Sequence, residues 1–441
     1  MPQSFSGDTA WVLASSALVL LMTPGLAFFY GGMVRTKSVI NMMLMSMSAI
    51  GIVSVLWVAY GYSLAFTDSG SGWIGKIAPS HLGSLVNDLA NNGAKLAIPV
   101  LVFSAFQLMF AVITPALISG SIADRTKFIS WVVFVIVWVT VVYFPVAHWV
   151  FYFGNASADG KTITGAGWLA AKGVEDFAGG TAVHINAGAA ALAMALLLGR
   201  RVGFRKEPMR PHSLPLVMIG TGLLWFGWFG FNAGSALSAN GLAGLAFMNT
   251  QVATAAALAG WLIVERLRDG HATGLGAASG AVAGLVAITP ACAFVTPTGA
   301  IFIGLIAGAI CAYAVGLKYK FNLDDSLDVV GVHLVGGIVG TLSIGFFGAK
   351  AVNSVGLNGL FYGGDLSLLR LQATGAFSVL AFSFIMTLII GKLIDLTIGL
   401  RIDRDSEIEG IDSTEHAETA YELDSRTGGG HFATAYAGTE A

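Results

Sequence analysis

Two histidines inside long apolar stretches are the residues of this chain best suited to chemistry. His184 lies in the middle of one stretch, and His333 lies a few residues into another. An ionisable group in hydrocarbon is costly and usually serves a function, and an imidazole accepts or passes a proton near neutral pH. For either histidine alone, a packing role with the ring bonded to a backbone carbonyl is the alternative. As a pair, the two imidazoles are expected to hydrogen-bond each other beside an apolar lumen.

Two carboxylates precede the histidines. Asp176 comes eight residues before His184, and Asp328 comes five residues before His333. A carboxylate at the start of a helix is favourable because it accepts hydrogen bonds from free N–H groups and lies at the positive end of the helix dipole. Capping therefore explains Asp328 well. Asp176 is also placed to stabilise a cation beneath the mouth of a pore.

Aromatic rings and a hydroxyl offer a second kind of chemistry. Phe110 lies in FQLMF, Phe151 in HWVFYF and Ser235 in WFGWFGFNAGS. A desolvated cation held over aromatic faces gains about 1–2 kcal/mol, and a hydroxyl accepts hydrogen bonds from it. Most aromatics near the ends of membrane spans are interface anchors instead. The convergence of these three residues on one small cation is thus a prediction about the fold.

The elements that position these residues are membrane spans. The chain has 441 residues, of which 55% are hydrophobic and 11% charged, and its mean hydropathy is +0.76. Soluble domains carry about 25% charged residues, so most of this chain belongs in lipid. The net charge of -2 gives no basic field for nucleic acid.

Hydropathy predicts an all-α membrane protein with eleven transmembrane helices, because about 20 apolar residues cross a hydrocarbon core of about 30 Å. The two histidines fall in the fifth and tenth spans, both beside glycines. That spacing predicts an inverted repeat of spans 1–5 and 6–10, followed by a long eleventh helix. The predicted spans are 9–31, 38–66, 96–120, 128–152, 177–199, 214–234, 242–264, 273–292, 299–317, 329–348 and 373–400.

The charges of the loops predict the orientation. The loops that follow odd-numbered spans hold 13 Lys and Arg, and the alternate loops hold 6. By the positive-inside rule the first set is cytoplasmic, which places the N-terminus outside and the C-terminus in the cytoplasm. We divide the chain into a transmembrane domain, 1–401, and a cytoplasmic tail, 402–441, in a multi-pass protein of the inner (plasma) membrane.

Six segments, in order from about residue 9 to 422, resemble the Amt/Mep/Rh ammonium transporter superfamily in its bacterial Amt branch. They are PGLAFFYGGMVR (24–35), DFAGGTAVHINAG (176–188), WFGFNAGSA (228–236), GLVAITPAC (284–292), DVVGVHLVGGIVG (328–340) and GLRIDRDSEIEGIDSTEHAE (399–418). The resemblance implies transport of ammonium or ammonia, with methylammonium as an analogue. It also implies a homotrimer with one pore per subunit and a cytoplasmic P-II-type signal protein as partner, with no cofactor or metal.

The resemblance also implies a role for each site residue. His184 and His333 match the twin pore histidines, and Asp176 matches the acid below the outer recruitment site. The remaining matches are Phe106 and Phe110 to the stacked outer gate, Trp228 and Phe231 to pore-lining aromatics, and Ser235 to the recruitment hydroxyl. Where the family often has Trp at the outer cation site, this chain has Phe151, whose weaker quadrupole predicts weaker capture of the cation.

Three other functions compete with electrogenic ammonium transport. One is a neutral, Rh-like channel for ammonia or carbon dioxide, and another is an ammonium sensor regulated by a P-II-type protein. An intramembrane enzyme is the third, but the sequence has no nucleophile elbow, no HExxH motif and no paired catalytic acids. We therefore expect a transporter and not an enzyme.

Overall fold

The computed structural model describes residues 6–157 and 159–421. Within that part of the chain, ten helices are long and apolar enough to cross a membrane, and one further apolar helix is shorter. In chain order the eleven are α1 (Ser6–Met33), α2 (Thr36–Phe66), α3 (Val100–Ile122), α4 (Phe128–Phe151), α5 (Gly180–Leu198), α6 (Leu214–Gly234), α7 (Gly241–Asp269), α8 (Gly274–Ile288), α9 (Pro297–Phe321), α10 (Val330–Phe347) and α11 (Leu366–Thr397). The prediction of an all-helical membrane protein is confirmed.

The eighth predicted span, 273–292, is the element that departs from the expected count. It forms a helix of 15 residues, Gly274–Ile288, which is about 22 Å long at 1.5 Å per residue. That length is less than the hydrocarbon core of about 30 Å, because the chain turns after Ile288. About ten apolar spans are therefore established, and the count of eleven stays a prediction.

Helices α5 and α10 form the centre of the bundle, and glycines let them approach closely. A side chain at Gly188 in α5 would collide with the backbone of Leu334 in α10, and one at Gly337 in α10 would collide with Ile185 in α5. Small residues at helix crossings favour such contacts in lipid. The long helix α11 packs across both α5 and α10 from outside.

Both central helices begin with a π-helical turn. These turns are Gly180–Ile185, which contains His184, and Val330–Leu334, which contains His333. A π-helical turn departs from the regular spacing of an α-helix and is often found at functional sites. The two histidines thus occupy matching local structures, as an internal repeat would require.

Short elements lie at the ends of the bundle. At the end where α3 and α5 begin, Leu89–Asn91 (β1) pairs antiparallel with Lys95–Pro99 (β2), and Asn155–Ala156 (β3) pairs antiparallel with Ile163–Thr164 (β4). The strand Lys95–Pro99 delays the start of α3 to Val100, four residues after the predicted start. A short helix, Trp168–Lys172, follows β4.

At the other end, the first part of the tail packs onto the loops. It forms the helices Arg404–Glu409 and Ile411–His416. The Asp412 carboxylate accepts hydrogen bonds from the N–H groups of Ile40 at 2.9 Å and Asn41 at 2.8 Å, at the start of α2. Residues 422–441 of the predicted tail lie outside the described residues, so the division at 401/402 stays a prediction.

Candidate functional site

The two histidines meet inside the bundle. Their Nδ1 atoms are 3.3 Å apart, and their ring centroids are 5.4 Å apart at an interplanar angle of 24°. The rings are 1% and 3% exposed for His184 and His333. Since one Nδ1 must donate and the other accept, the two neutral imidazoles are held in complementary tautomers. The hydrogen-bonded pair expected from the sequence is therefore present.

Aromatic rings continue the path on one side of the pair. The Trp228 ring lies 5.3 Å from the His184 ring at 18°, and the Phe231 ring lies 6.0 Å from it at 26°. The Trp228 indole N–H donates to the Thr289 hydroxyl oxygen at 2.8 Å. That hydrogen bond holds the indole in one orientation and satisfies its N–H group. The ring therefore presents an apolar face to the path.

Phenylalanines close the path on the same side. Phe110 and Phe231 lie 4.2 Å apart at 35°, the tightest contact of the group. Phe106 instead meets Phe110 edge-on, at 5.0 Å and 67°, and it packs against Gly234. The predicted stack of Phe106 on Phe110 is therefore absent, and the ring that lies over Phe110 comes from α6. Phe106 and Phe110 are four positions apart on α3, which puts both rings on one helix face instead of on opposite sides of the path.

A cavity of about 570 Å³ lies beyond the phenylalanines. Asp176 and Ser235 line it, so two predicted recruitment residues share one vestibule. The Ser235 hydroxyl donates to the Phe231 carbonyl at 2.8 Å, which leaves its oxygen free to accept. Polar and apolar side chains share the remaining wall, among them Asn92, Phe153, Val174, Glu175, Phe177, Leu242, Phe294, Asn353 and Leu357.

Phe151 lies next to the phenylalanine barrier and outside the lining of the vestibule. Its ring centroid is 6.3 Å from that of Phe110 at 74°, and the residue is 5% exposed. The neighbouring Trp149 points elsewhere, because its indole N–H donates to the Trp73 carbonyl at 2.7 Å and its ring contacts Phe382. No indole of Trp149 therefore replaces the one that Phe151 lacks.

The Asp176 carboxylate is occupied by the first turn of α5. It accepts hydrogen bonds from the N–H groups of Gly179, Gly180 and Thr181 at 2.7–2.8 Å, and also from the Thr181 hydroxyl. Gly179 has φ +114°, which glycine adopts without strain. Helix capping is therefore the contact that Asp176 makes in this structure.

The cap of α10 is Asp325, and the sequence interpretation that gave this role to Asp328 is wrong. The Asp325 carboxylate accepts from the N–H groups of Val329 at 3.1 Å and Val330 at 2.8 Å. Asp328 has φ +64° and pairs with Lys318 at 2.6 Å. Asp325 precedes His333 by eight residues, the same separation as from Asp176 to His184, so the sequence contained the signal.

Glu175 is a site residue that the sequence reasoning missed. It lines the vestibule next to Asp176 and is 7% exposed. Burial raises the pKa of its carboxyl group to about 7, although the hydrogen bond from the Leu357 N–H opposes this rise. The signal was the doubled acid in VEDFAGG, where only the second acid was considered.

On the far side of the histidines, the path leads to a cavity of about 10 Å³. His333 and Tyr30 line it, and the Tyr30 hydroxyl donates to the Leu117 carbonyl at 3.0 Å. The path is therefore narrow on both sides of the histidine pair. In the described part of the chain no group of three or more His, Cys, Asp or Glu side chains is placed to hold a metal ion.

A bundle of apolar helices around a narrow aromatic path, with a vestibule at one end, is the architecture of a polytopic membrane transport protein. The sequence profile described as Ammonium Transporter Family matches residues 10–421. The chain belongs to the ammonium transporter family.

Relatives and solved structures agree with this assignment. The chain is 57% identical to an ammonium transporter of Mycobacterium tuberculosis, covering 95% of this chain and 90% of that protein. It is similar to the crystal structure of Candida albicans Mep2, with a TM-score of 0.82 and 34% identity over 92% of this chain and 88% of that chain. It is also similar to a structure described as a sensor Amt protein, with a TM-score of 0.82 and 30% identity over 93% and 98% of the two chains.

Proposed function

We propose that this ammonium transporter binds the cation in the vestibule, removes its proton there and conducts ammonia along the histidine path, with net movement of charge. The observation that carries this proposal is the paired histidines, His184 and His333, at 3.3 Å in the interior of the bundle. The imidazole pair adjoins a route lined by the aromatic rings of Trp228, Phe231 and Phe110.

The apolar barrier argues for ammonia as the species that passes. A cation at the centre of a membrane costs at least about 2.5 kcal/mol and often much more without ligands along its way. The closely packed rings of Phe110 and Phe231 offer π-faces but no hydrogen-bond acceptors. Neutral ammonia passes such rings without that cost, so deprotonation belongs in the vestibule, before the barrier.

The fate of the proton separates the two versions of transport. If the proton returns to the side from which ammonium came, transport is neutral. If it crosses by way of His184 and His333, transport is electrogenic. The complementary tautomers of the pair support the second version, since one ring is able to accept a proton while the other donates.

Current measurement tests the electrogenic version. The purified full chain is reconstituted on a solid-supported membrane and given pulses of ammonium, with sodium pulses of equal ionic strength as the control. We expect a transient current that saturates with ammonium. Liposomes without protein provide the baseline. Uptake of ammonium without any transient current would contradict the electrogenic mechanism.

Swelling of liposomes that contain the protein tests the neutral alternative. An Rh-like channel for ammonia or carbon dioxide would speed solute-driven swelling of liposomes without current.

Binding of a P-II-type signal protein at the tail end, and a role as a sensor, are further proposals that follow from the family. A pull-down of a P-II-type protein at varied nucleotide concentrations tests both proposals. Its result does not depend on whether transport is measured.

Three features of the assembly are also proposed. The tail-bearing end faces the cytoplasm of a cell whose inner (plasma) membrane holds the protein, which the 13 basic residues of that set of loops support. Spans 1–5 and 6–10 form an inverted repeat, which the matched π-helical turns support. Three copies form a homotrimer with one pore each, a state that native mass spectrometry measures directly.

A further inference from the structure

The vestibule contains two adjacent carboxylates with different surroundings. Both oxygens of Asp176 accept hydrogen bonds from the start of α5. The Glu175 carboxylate has one partner, the Leu357 N–H, which donates to its Oε1 at 2.7 Å. Its Oε2 is buried and has no hydrogen-bond partner among the residues that the structure describes. Asp176 is thus committed to the helix, and Glu175 retains a vacant acceptor.

A buried hydrogen-bond acceptor that lacks a partner is stabilised when a donor binds to it. Glu175 is 7% exposed on the wall of a cavity of about 570 Å³, and a buried polar atom without a partner is unfavourable. The terminal torsion of a glutamate is broad and close to two-fold, so the carboxylate is able to adjust its orientation to a donor in the cavity.

The backbone of Glu175 is held in place from α11. Its N–H donates to the Gln372 side-chain oxygen at 2.8 Å, and its carbonyl accepts from the Gln372 side-chain nitrogen. Gln372 is itself completely buried. The carboxylate therefore moves about a fixed point, which limits the entropy lost when it binds a ligand.

We propose that Glu175 is a binding carboxylate for ammonium in the vestibule. Ammonium presents N–H donors and a positive charge, and the vacant oxygen of Glu175 supplies an acceptor and a negative charge. The Ser235 hydroxyl oxygen lines the same cavity and serves as the second acceptor. This proposal rests on the proposed function and adds a residue to it.

Glu175 gives this binding a dependence on pH. Burial raises the pKa of its carboxyl group to about 7, and the Leu357 N–H lowers it. The ionisable side chains on the neighbouring segments at this end of the molecule are Lys172, Asp176, Lys350, Asp365 and Arg370. The charged form of Glu175 therefore increases between about pH 6 and pH 8, where ammonium itself remains the dominant species. Affinity for ammonium is expected to rise over this range.

The test replaces Glu175 by glutamine, which keeps the acceptor for the Leu357 N–H and removes the charge. Glu175→Gln is expected to raise the KM of the ammonium-evoked current about fivefold at pH 8, as expected for loss of one charge-assisted hydrogen bond of about 1 kcal/mol or more. The maximal current stays within about twofold. The dependence of KM on pH between 6 and 8 becomes flat in the variant.

Asp88→Asn is the matched control, since Asp88 is an exposed acid at the same end of the molecule and outside the vestibule. It is expected to leave KM and its pH dependence unchanged. An unchanged KM and pH profile in Glu175→Gln would overturn the proposal. The transport mechanism would still stand, because the wild type would still give an ammonium-evoked current. A rise in KM accompanied by a lower Tm would also overturn it, because that result indicates a structural role.

Calorimetry separates this proposal from the transport mechanism. Ammonium chloride is titrated into the detergent-purified full chain, with sodium chloride as the blank. Weaker binding in Glu175→Gln than in the wild type supports the binding role even where no current is detected. Equal binding enthalpy and affinity in the two proteins overturns it.

Discussion

Asp176 and Asp325 hold equivalent positions, each eight residues before one of the paired histidines and each capping the first turn of the helix that carries it. Asp176 accepts from N–H groups at the start of α5, and Asp325 accepts from those at the start of α10. Each cap fixes the start of a π-helical turn and so the direction of one imidazole. The geometry of the histidine pair therefore depends on two carboxylates that do not contact it.

Replacing either cap by asparagine is expected to destabilise the protein. In Asp176→Asn and in Asp325→Asn, an NH₂ group takes the place of one acceptor oxygen and faces backbone N–H groups. We expect a loss of about 1–3 kcal/mol for each, measured as a lower Tm in detergent. An unchanged Tm with lost current in Asp176→Asn would contradict the capping role and favour a direct effect of its charge on the cation.

Restoring an indole at position 151 is expected to strengthen cation capture. Phe151→Trp adds the better cation–π ring next to Phe110, which is worth about 0.5–1 kcal/mol. The KM for ammonium should fall about two- to fivefold, as measured from currents over a range of concentrations. Trp149→Phe is the comparison, because that indole contacts Trp73 and Phe382, and its KM should match the wild type.

Removing an imidazole is expected to abolish or alter selective transport. His184→Ala takes away one half of the hydrogen-bonded imidazole pair, so a proton has no second ring to reach. We expect the ammonium-evoked current to disappear, while uptake of ammonium and methylammonium is lost or loses its selectivity. His271→Ala, at an exposed loop position, serves as the control. Unchanged uptake of both substrates in His184→Ala would contradict a conducting role for the pair.

The sequence predicted the features that depend on local pattern. Apolar runs marked the ends of the spans to within seven residues, and the glycine-flanked His184 and His333 marked the centre. Contacts between distant segments were harder to predict. Phe231 lies 121 residues after Phe110, and no local pattern indicates that their rings are in contact. The capping role of Asp325 was partly predictable. Its eight-residue spacing from His333 was visible in the sequence, but Asp328 lay closer to the predicted start of the helix.

The ion-pair partners of the charged groups at the tail end could not be predicted from the sequence, for a different reason. The positive-inside rule counts Lys and Arg in loops without assigning partners. Arg201 was counted in this way, yet its guanidinium is buried between Asp124 at 2.9 Å and Asp324 at 2.8 Å. The three residues come from three different loops, so only the packed bundle brings them together.

Loss of Arg201 is expected to be severely destabilising and to change how stability depends on pH. In Arg201→Gln two buried carboxylates lose their main counter-charge, which costs about 3–5 kcal/mol when a buried pair is broken. Lys392→Gln breaks an exposed pair with Asp395 at 3.0 Å and should cost at most about 1 kcal/mol. Both effects are measured as Tm in detergent at pH 7.

The sign of the pH effect follows from the pKa shifts. Burial raises the pKa of Asp124 and of Asp324, but nearby arginines outweigh it, so both pKa values lie below the ordinary value. Arg201 acts on both carboxylates, together with Arg35 at Asp124 and with Arg125 at Asp324. Their contribution to stability is therefore complete above the ordinary pKa of an aspartate and is lost as the pH falls through the lowered values. In Arg201→Gln burial acts with less opposition and both pKa values rise. If they rise above the ordinary value, the folded variant binds more protons than its unfolded chain and gains stability on acidification from pH 7 toward pH 5. Since the contribution of these two carboxylates to wild-type stability is constant between pH 7 and pH 5, a variant Tm that is equally insensitive to pH over this range would contradict the dominance of Arg201 in setting these pKa values.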